Sequence, residues 1–109
     1  MHYHNSDDAS YNRHLRNAAP TAYKGLMEFD KAVFEETDSG LDRRTKELIA
    51  VAVAATTQCP YCIDAHVKNA HKEGATEAEV AAAVMISAAL RAGGSFTHGW
   101  MAMKVLDNA

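Results

Sequence analysis

An unbroken apolar run, Leu48 to Ala55, constrains the fold of this 109-residue chain more than any other segment. It reads LIAVAVAA, so no polar residue marks a side that faces water. A helix that is apolar all round is stable only when its neighbours cover it on every side. Because a domain of this size leaves much of its surface exposed, we expect other copies of the chain to cover part of the run.

The segments around this run have the periodicity of helices. Apolar residues at helical spacing predict a helix from Pro20 to about Thr37, and Asp42 can cap a second helix over Arg43 to Thr57. Pro60 fits the first turn of a third helix, which Gly74 ends. No long stretch alternates with period two, so the predicted fold class is all-α.

The last third of the chain predicts two more helices. Thr76 and Glu79 form a T-x-x-E capping box at the start of a fourth helix that runs to about Arg91. Gly93-Gly94 is expected to break the helix, and a fifth begins near Ser95. Trp100 and the methionines of this last helix are interpreted as core or interface residues.

Charge and composition narrow the classes of partner. A net charge of -3 and a pI near 6.0 give no electrostatic reason to expect nucleic acid or an anionic membrane. The polar segment Met1 to Ser10 lacks the apolar core of a secretion signal, and the longest apolar run is far shorter than the roughly 20 residues that span a bilayer. We therefore expect one cytoplasmic domain over residues 1–109, with residues 1–11 as a mobile tail.

The most chemically informative motif is Cys59-Pro60-Tyr61-Cys62, followed by His66. If Cys59 caps the third helix, Cys62 lies in its first turn, where the helix dipole and free N–H groups favour a thiolate. Cys62 and His66 are four residues apart and lie on one face, and the two cysteines are close enough to form a disulfide. In a reducing compartment such a pair is typically catalytic, redox-sensing or metal-binding.

Glu47 is the candidate partner of His66. With a rise of about 1.5 Å per residue and a chain reversal near Thr57, Glu47 lies ~15 Å back along one helix and His66 ~12 Å forward along the next. The two side chains therefore come level in an antiparallel pair. A carboxylate at this position can orient the imidazole, and the imidazole can accept the proton of the Cys62 thiol and donate it again.

The spacing of Glu47, Cys59, Cys62 and His66 resembles the core motif of the alkylhydroperoxidase D (AhpD)-like, carboxymuconolactone decarboxylase superfamily. The resemblance covers roughly Leu41 to Gly99, and its centre reads TKELIAVAVAATTQCPYCIDAHVKNAHKEGAT. It implies an AhpD-like helical bundle that forms homotrimers or homohexamers.

The same resemblance implies the chemistry. Cys62 would attack a hydroperoxide, Cys59 would resolve the product as a disulfide, and Glu47 with His66 would relay the proton. An external dithiol or protein electron donor would then reduce the pair. The implied activity is that of a peroxidase or thiol–disulfide oxidoreductase without a cofactor or metal.

Two features depart from the family pattern. The best-known AhpD proteins have a histidine where this chain has Tyr61, and they contain two copies of the helical unit where this chain has length for one. The decarboxylase branch lacks the cysteine pair, so Cys59 and Cys62 argue against lactone decarboxylation.

Three other interpretations are open. The pair can serve a redox-responsive binding protein without turnover, or the chain can be a carboxymuconolactone decarboxylase-like enzyme despite its cysteines. A zinc module would use Cys59, Cys62, His66 and His71, but His71 lies ~140° from His66 around the helix and points away from the others. His98 is interpreted as a helix-packing or interface residue.

Overall fold

A computed structural model of the chain describes residues 5–35 and 40–109. Within these ranges it contains a 3-10 helix, Ser6–Tyr11, and no strand, so the all-α prediction is confirmed. The described α-helices are α1 (Asn12–Ala18), α2 (Pro20–Phe34), α3 (Arg43–Thr57), α4 (Pro60–Lys72) and α5 (Glu77–Asp107).

The start of α3 follows the predicted capping chemistry. The side chain of Asp42 accepts a hydrogen bond from the backbone N–H of Thr45 at 2.8 Å. Hydrogen bonds from Thr45 hold the pKa of Asp42 below its usual value, because they favour the ionised carboxylate. At the other end of α3, Gln58 adopts a left-handed conformation with φ 57°, and the chain reverses there into α4.

Small side chains dominate the core between α3, α4 and α5. α3 packs against both α4 and α5, and the ion pair of Arg44 with Glu79, 3.3 Å apart, also links α3 to the beginning of α5. Alanines have short side chains, so they let the backbones of packed helices approach closely. The buried apolar residues among those described are Val51, Ala54, Ala70, Ala75 and Ala83.

The prediction of a break at Gly93-Gly94 is wrong, because α5 continues through both glycines to Asp107. Neither glycine has a positive φ, in contrast to Gly74, whose φ of +87° ends α4 as predicted. A glycine costs a helix only about 1 kcal/mol relative to alanine, and here long helical segments flank the pair on both sides. The two predicted helices are therefore one.

The capping box that starts α5 is confirmed. The backbone N–H of Glu79 donates to the Thr76 hydroxyl, and the backbone N–H of Thr76 donates to the Glu79 carboxylate, both at 3.1 Å. The hydrogen bond that the carboxylate accepts from the Thr76 backbone lowers the pKa of Glu79, because it favours the ionised form. The first predicted helix is also present as α2, whose last residue is Phe34. Its predicted end near Thr37 lies outside the described residues.

Many apolar side chains of α5 are exposed on the surface of the chain. Among the described helices, α5 alone has the length and composition that would let a helix cross a membrane. A helix buried between protein subunits meets the same criterion, so this property does not specify what covers α5. Its large exposed apolar residues are Val84, Met85, Ile86, Leu90, Phe96, Trp100, Met101, Met103, Val105 and Leu106.

The segment expected to be a polar tail contains regular structure. Ser6–Tyr11 forms the 3-10 helix because Asn5 and Asp8 cap it reciprocally: Asp7 N–H donates to the Asn5 side chain, and Asn5 N–H donates to the Asp8 carboxylate. Residues 1–4 lie outside the described ranges.

This N-terminal helix contacts the redox motif. The hydroxyl of Tyr61 donates a hydrogen bond to Oδ2 of Asp8 at 2.7 Å. The bond raises the pKa of Tyr61, because the neighbouring carboxylate favours the protonated phenol. Tyr61, one of the two residues between the cysteines, is therefore hydrogen-bonded to the N-terminal 3-10 helix.

We expect Asp8→Asn to lower the pKa of Tyr61 towards its ordinary value, since the amide replaces a charged acceptor with a neutral one. The chain has four tyrosines, so the titration of Tyr61 is obtained as the ultraviolet absorbance difference between each protein and its Tyr61→Phe counterpart. Asp7→Asn removes the same charge one residue away and serves as the matched control. Equal shifts in both variants would mean that the Asp8 contact is absent in solution.

Candidate active site

The hairpin formed by α3 and α4 brings Glu47 and His66 together. Nδ1 of His66 lies 2.5 Å from Oε2 of Glu47. Both side chains are largely buried, with exposed fractions of 23% for His66 and 11% for Glu47. The reversal at Gln58 places the two residues level, in the contact that the helix register predicts.

A residue that sequence reasoning did not assign to the site, Phe34, stacks on His66. The ring centroids are 5.2 Å apart and the planes differ by 18°. The stacking covers one face of the imidazole, while Glu47 holds its Nδ1, so the ring has a fixed orientation. In the sequence Phe34 is only an apolar position at the end of a predicted helix, and nothing local marks it as a contact of His66.

Cys59 and Cys62 form a disulfide at the start of α4, with their Cα atoms 5.3 Å apart. Cys59 is the N-cap residue, and its sulfur accepts a hydrogen bond from the backbone N–H of Cys62 at 3.2 Å. Pro60 is the first helical residue, which places Cys62 in the first turn. Once the pair is reduced, backbone N–H groups and the helix dipole at this position favour a thiolate.

An apolar cavity of about 450 Å³ opens beside Cys62 and His66. Of the two cysteines, Cys62 alone lines it. A molecule in the cavity therefore lies beside both Cys62 and His66. Apart from Cys62, His66 and Lys46, the described lining residues are Val33, Phe34, Leu41, Ile49, Ala50, Val53, Ala54 and Thr57.

A second cavity, of about 430 Å³ and with a more polar lining, borders Glu47. Glu47 and Phe34 line it, whereas His66 lines the apolar cavity. The hydrogen bond between Glu47 and His66 therefore spans from the apolar cavity to the polar one. The other residues of the polar cavity are Lys31, Glu35, Arg43, Asn69, Lys72 and Glu73.

Lys46 is a further residue to which the sequence assigned no role. It is only 8% exposed, and its Nζ donates a hydrogen bond to the backbone carbonyl of Glu35 at 2.5 Å. Lys46 also lines the apolar cavity. Adjacent positions in α3 thus supply a buried cation to one cavity and a buried carboxylate to the other.

The remaining histidines lie elsewhere. His98 is exposed on α5, where its Nδ1 lies 3.1 Å from the backbone carbonyl of Gly94. His71 is exposed near the end of α4. Within residues 5–35 and 40–109, no three His, Cys, Asp or Glu residues form a group that could hold a metal ion.

Comparison with known proteins identifies the family of this chain. The family model of the carboxymuconolactone decarboxylase family matches residues 20–104. An uncharacterized protein from the cox locus of Paracoccus denitrificans is 49% identical over 82 residues, which are 75% of this chain and 72% of that protein. The alkyl hydroperoxide reductase AhpD of Maricaulis maris is 42% identical over 53 residues, which are 49% of this chain and 31% of that protein.

A solved structure supports the same assignment. The apo form of a carboxymuconolactone decarboxylase family protein from Legionella pneumophila superposes with a TM-score of 0.70 at 31% identity, over 77% of this chain and 73% of that chain. The match to the family model spans all of α2, α3 and α4, the helices that carry the site residues. The chain belongs to the carboxymuconolactone decarboxylase family, in an AhpD-like form that has a CxxC pair.

Proposed function

We propose that the protein is a thiol peroxidase that reduces organic hydroperoxides with electrons from an external dithiol. Cys62 is the attacking thiol, Cys59 is the resolving thiol, and Glu47 with His66 carries the proton. The observation that carries this proposal is the arrangement around His66. The imidazole lines the same cavity as Cys62 and is held by Glu47 at 2.5 Å.

The catalytic cycle begins with the reduced pair. The Cys62 thiolate attacks the terminal peroxide oxygen, the O–O bond breaks, and the alkoxide leaves as an alcohol after taking a proton from His66. The Cys62 sulfenic acid then condenses with the Cys59 thiol, which forms the disulfide and releases water. An external dithiol reduces the disulfide by exchange and leaves as its own disulfide.

The two cavities support separate paths for substrate and proton. An apolar hydroperoxide enters the cavity that holds Cys62, where little water competes with it. His66 takes the proton of the Cys62 thiol and gives it to the alkoxide, and Glu47, which borders the polar cavity, lets the imidazole exchange protons with that side. Because Glu47 holds Nδ1, Nε2 is the ring nitrogen that serves the thiol.

The similarity to the Maricaulis AhpD supports a peroxidase, although this chain spans less than a third of that protein. We place the enzyme in the cytoplasm, where dithiol donors are kept reduced. We also propose that it works as a homo-oligomer, because the apolar face of α5 needs cover in water. The family resemblance implies that this assembly is a homotrimer or a homohexamer.

The roles of the two cysteines predict opposite outcomes for their serine variants. Cys62→Ser is expected to abolish the first oxidation by a hydroperoxide, since Cys62 is the cysteine that lines the apolar cavity. Cys59→Ser should be oxidised once and stop as a sulfenic acid, which a dimedone-type probe traps and mass spectrometry locates. Labelling of Cys59 in the Cys62→Ser protein, with none in the other variant, would reverse the roles.

Steady turnover separates a peroxidase from a redox-responsive binding protein. The wild-type protein should consume hydroperoxide continuously while a reducing dithiol is present. A single stoichiometric oxidation without further consumption would contradict the proposal.

The proton relay predicts a specific effect of Glu47→Gln. In a Cys59→Ser background, where Cys62 is the only thiol, alkylation of reduced Cys62 near neutral pH should slow by roughly 100-fold, as expected for lost acid–base assistance. The pH dependence of alkylation by iodoacetamide gives the measurement. Glu28→Gln, an exposed carboxylate on α2, is the matched control. An unchanged pH profile in Glu47→Gln would remove Glu47 from the relay.

The uncovered face of α5 predicts an assembly. Light scattering at micromolar protein concentration should give a mass near three or six times 11.8 kDa. Replacing exposed Leu90 or Trp100 by Glu should lower this mass, since a charge on the face would lie buried between copies. A monodisperse wild-type monomer would contradict the proposal.

A further inference from the structure

Lys46 is buried and lines the apolar cavity, and the peroxidase steps do not use it. We infer that this cavity binds amphiphilic small molecules that carry a carboxylate, and that Lys46 binds the carboxylate while the apolar walls hold the carbon chain. The inference rests on the proposed function in one respect: it names hydroperoxides with an acidic group as the preferred substrate class.

The hydrogen bonding of Lys46 leaves capacity for an anion. An ammonium group has three N–H donors, and the Glu35 carbonyl accepts one of them at 2.5 Å. No carboxylate among the described residues forms an ion pair with Lys46, and adjacent Glu47 is paired with His66. A buried charge is costly unless it is paired or fully hydrogen-bonded. A ligand carboxylate would provide that partner.

The walls of the cavity suit an alkyl or aryl body. Its volume of about 450 Å³ falls within the range of roughly 300–1,000 Å³ that is typical of small-molecule sites. Side chains such as Leu41, Ile49 and Val53 line it. Cys62, His66 and Lys46 line the same cavity. A molecule whose carboxylate is bound by Lys46 therefore lies in the same cavity as Cys62.

Charge favours a small anion over another copy of the chain as the occupant. The strongest alternative is the uncovered face of α5 from a second copy. Between Val80 and Leu106 this helix contains Arg91 and Lys104 but no Asp or Glu. Packing that face into the cavity would leave Lys46 without an anion and bring further cations to the interface.

The test measures binding of unreactive probes to the disulfide form, so it does not depend on peroxidase turnover. Octanoate and octanamide have the same chain and differ in the charge of the head group. By calorimetry, wild-type protein should bind octanoate about 10- to 100-fold more tightly than octanamide, as expected for hydrogen bonds to a charged group. Octanoate should also protect reduced Cys62 from alkylation better than octanamide does.

Lys46 variants assign this preference to the buried cation. Lys46→Met keeps the length of the side chain and should remove the preference for octanoate, while Lys46→Arg should retain most of it. Lys68→Met removes an exposed cation of α4 and should leave the preference unchanged. Circular dichroism establishes that each variant is folded.

Several results would overturn the inference. Equal affinity of the wild-type protein for octanoate and octanamide would do so even if Lys46→Met failed to fold. A preference that survives in folded Lys46→Met would place the carboxylate elsewhere. Failure of both probes to bind would mean that the cavity is not a ligand site, as when a second copy fills it. A protein that binds octanoate through Lys46 but turns over no hydroperoxide would retain the inference and lose the proposed function.

Discussion

The hydrogen bond between Glu47 and His66 is the interaction on which the arrangement of the site depends. It joins α3 to α4 at a largely buried position, where a carboxylate or an imidazole without a hydrogen-bond partner would be costly. Each group compensates the burial of the other, so His66 can line the apolar cavity while Glu47 lines the polar one. Phe34, the last residue of α2, also contacts this pair, because its ring stacks on the imidazole of His66. Three helices therefore converge on one ring.

The hairpin that carries this bond was predictable because its determinants are local. Asp42 and Cys59 cap their helices, Pro60 begins α4, and the rise of a helix places Glu47 opposite His66. Gly93-Gly94 shows the limit of local signals. Two glycines weaken a helix, but they break it only where the backbone has a better alternative, and here neither glycine leaves the helical region.

The remaining parts of the site were not predictable from the sequence because they depend on contacts between distant segments. Phe34 meets His66 only after α2 packs beside the hairpin. Lys46 has the sequence environment of a surface lysine, and its burial follows from the position of the end of α2, whose Glu35 carbonyl accepts its hydrogen bond. The contact of Tyr61 with Asp8 joins residues that no periodicity relates.

The alanines of the core have a consequence for how this site can change. Ala54 and Ala70 are buried on the helices that carry Glu47 and His66, with exposed fractions of 3% and 0%. A single added methylene there would widen the spacing of the hairpin, since close-packed interiors transmit such changes. The distance between Glu47 and His66 is thus limited by side chains that make no contact with either group's titratable atoms. If the pair relays a proton as proposed, a larger side chain at Ala54 or Ala70 would impair that relay without any change to Glu47 or His66.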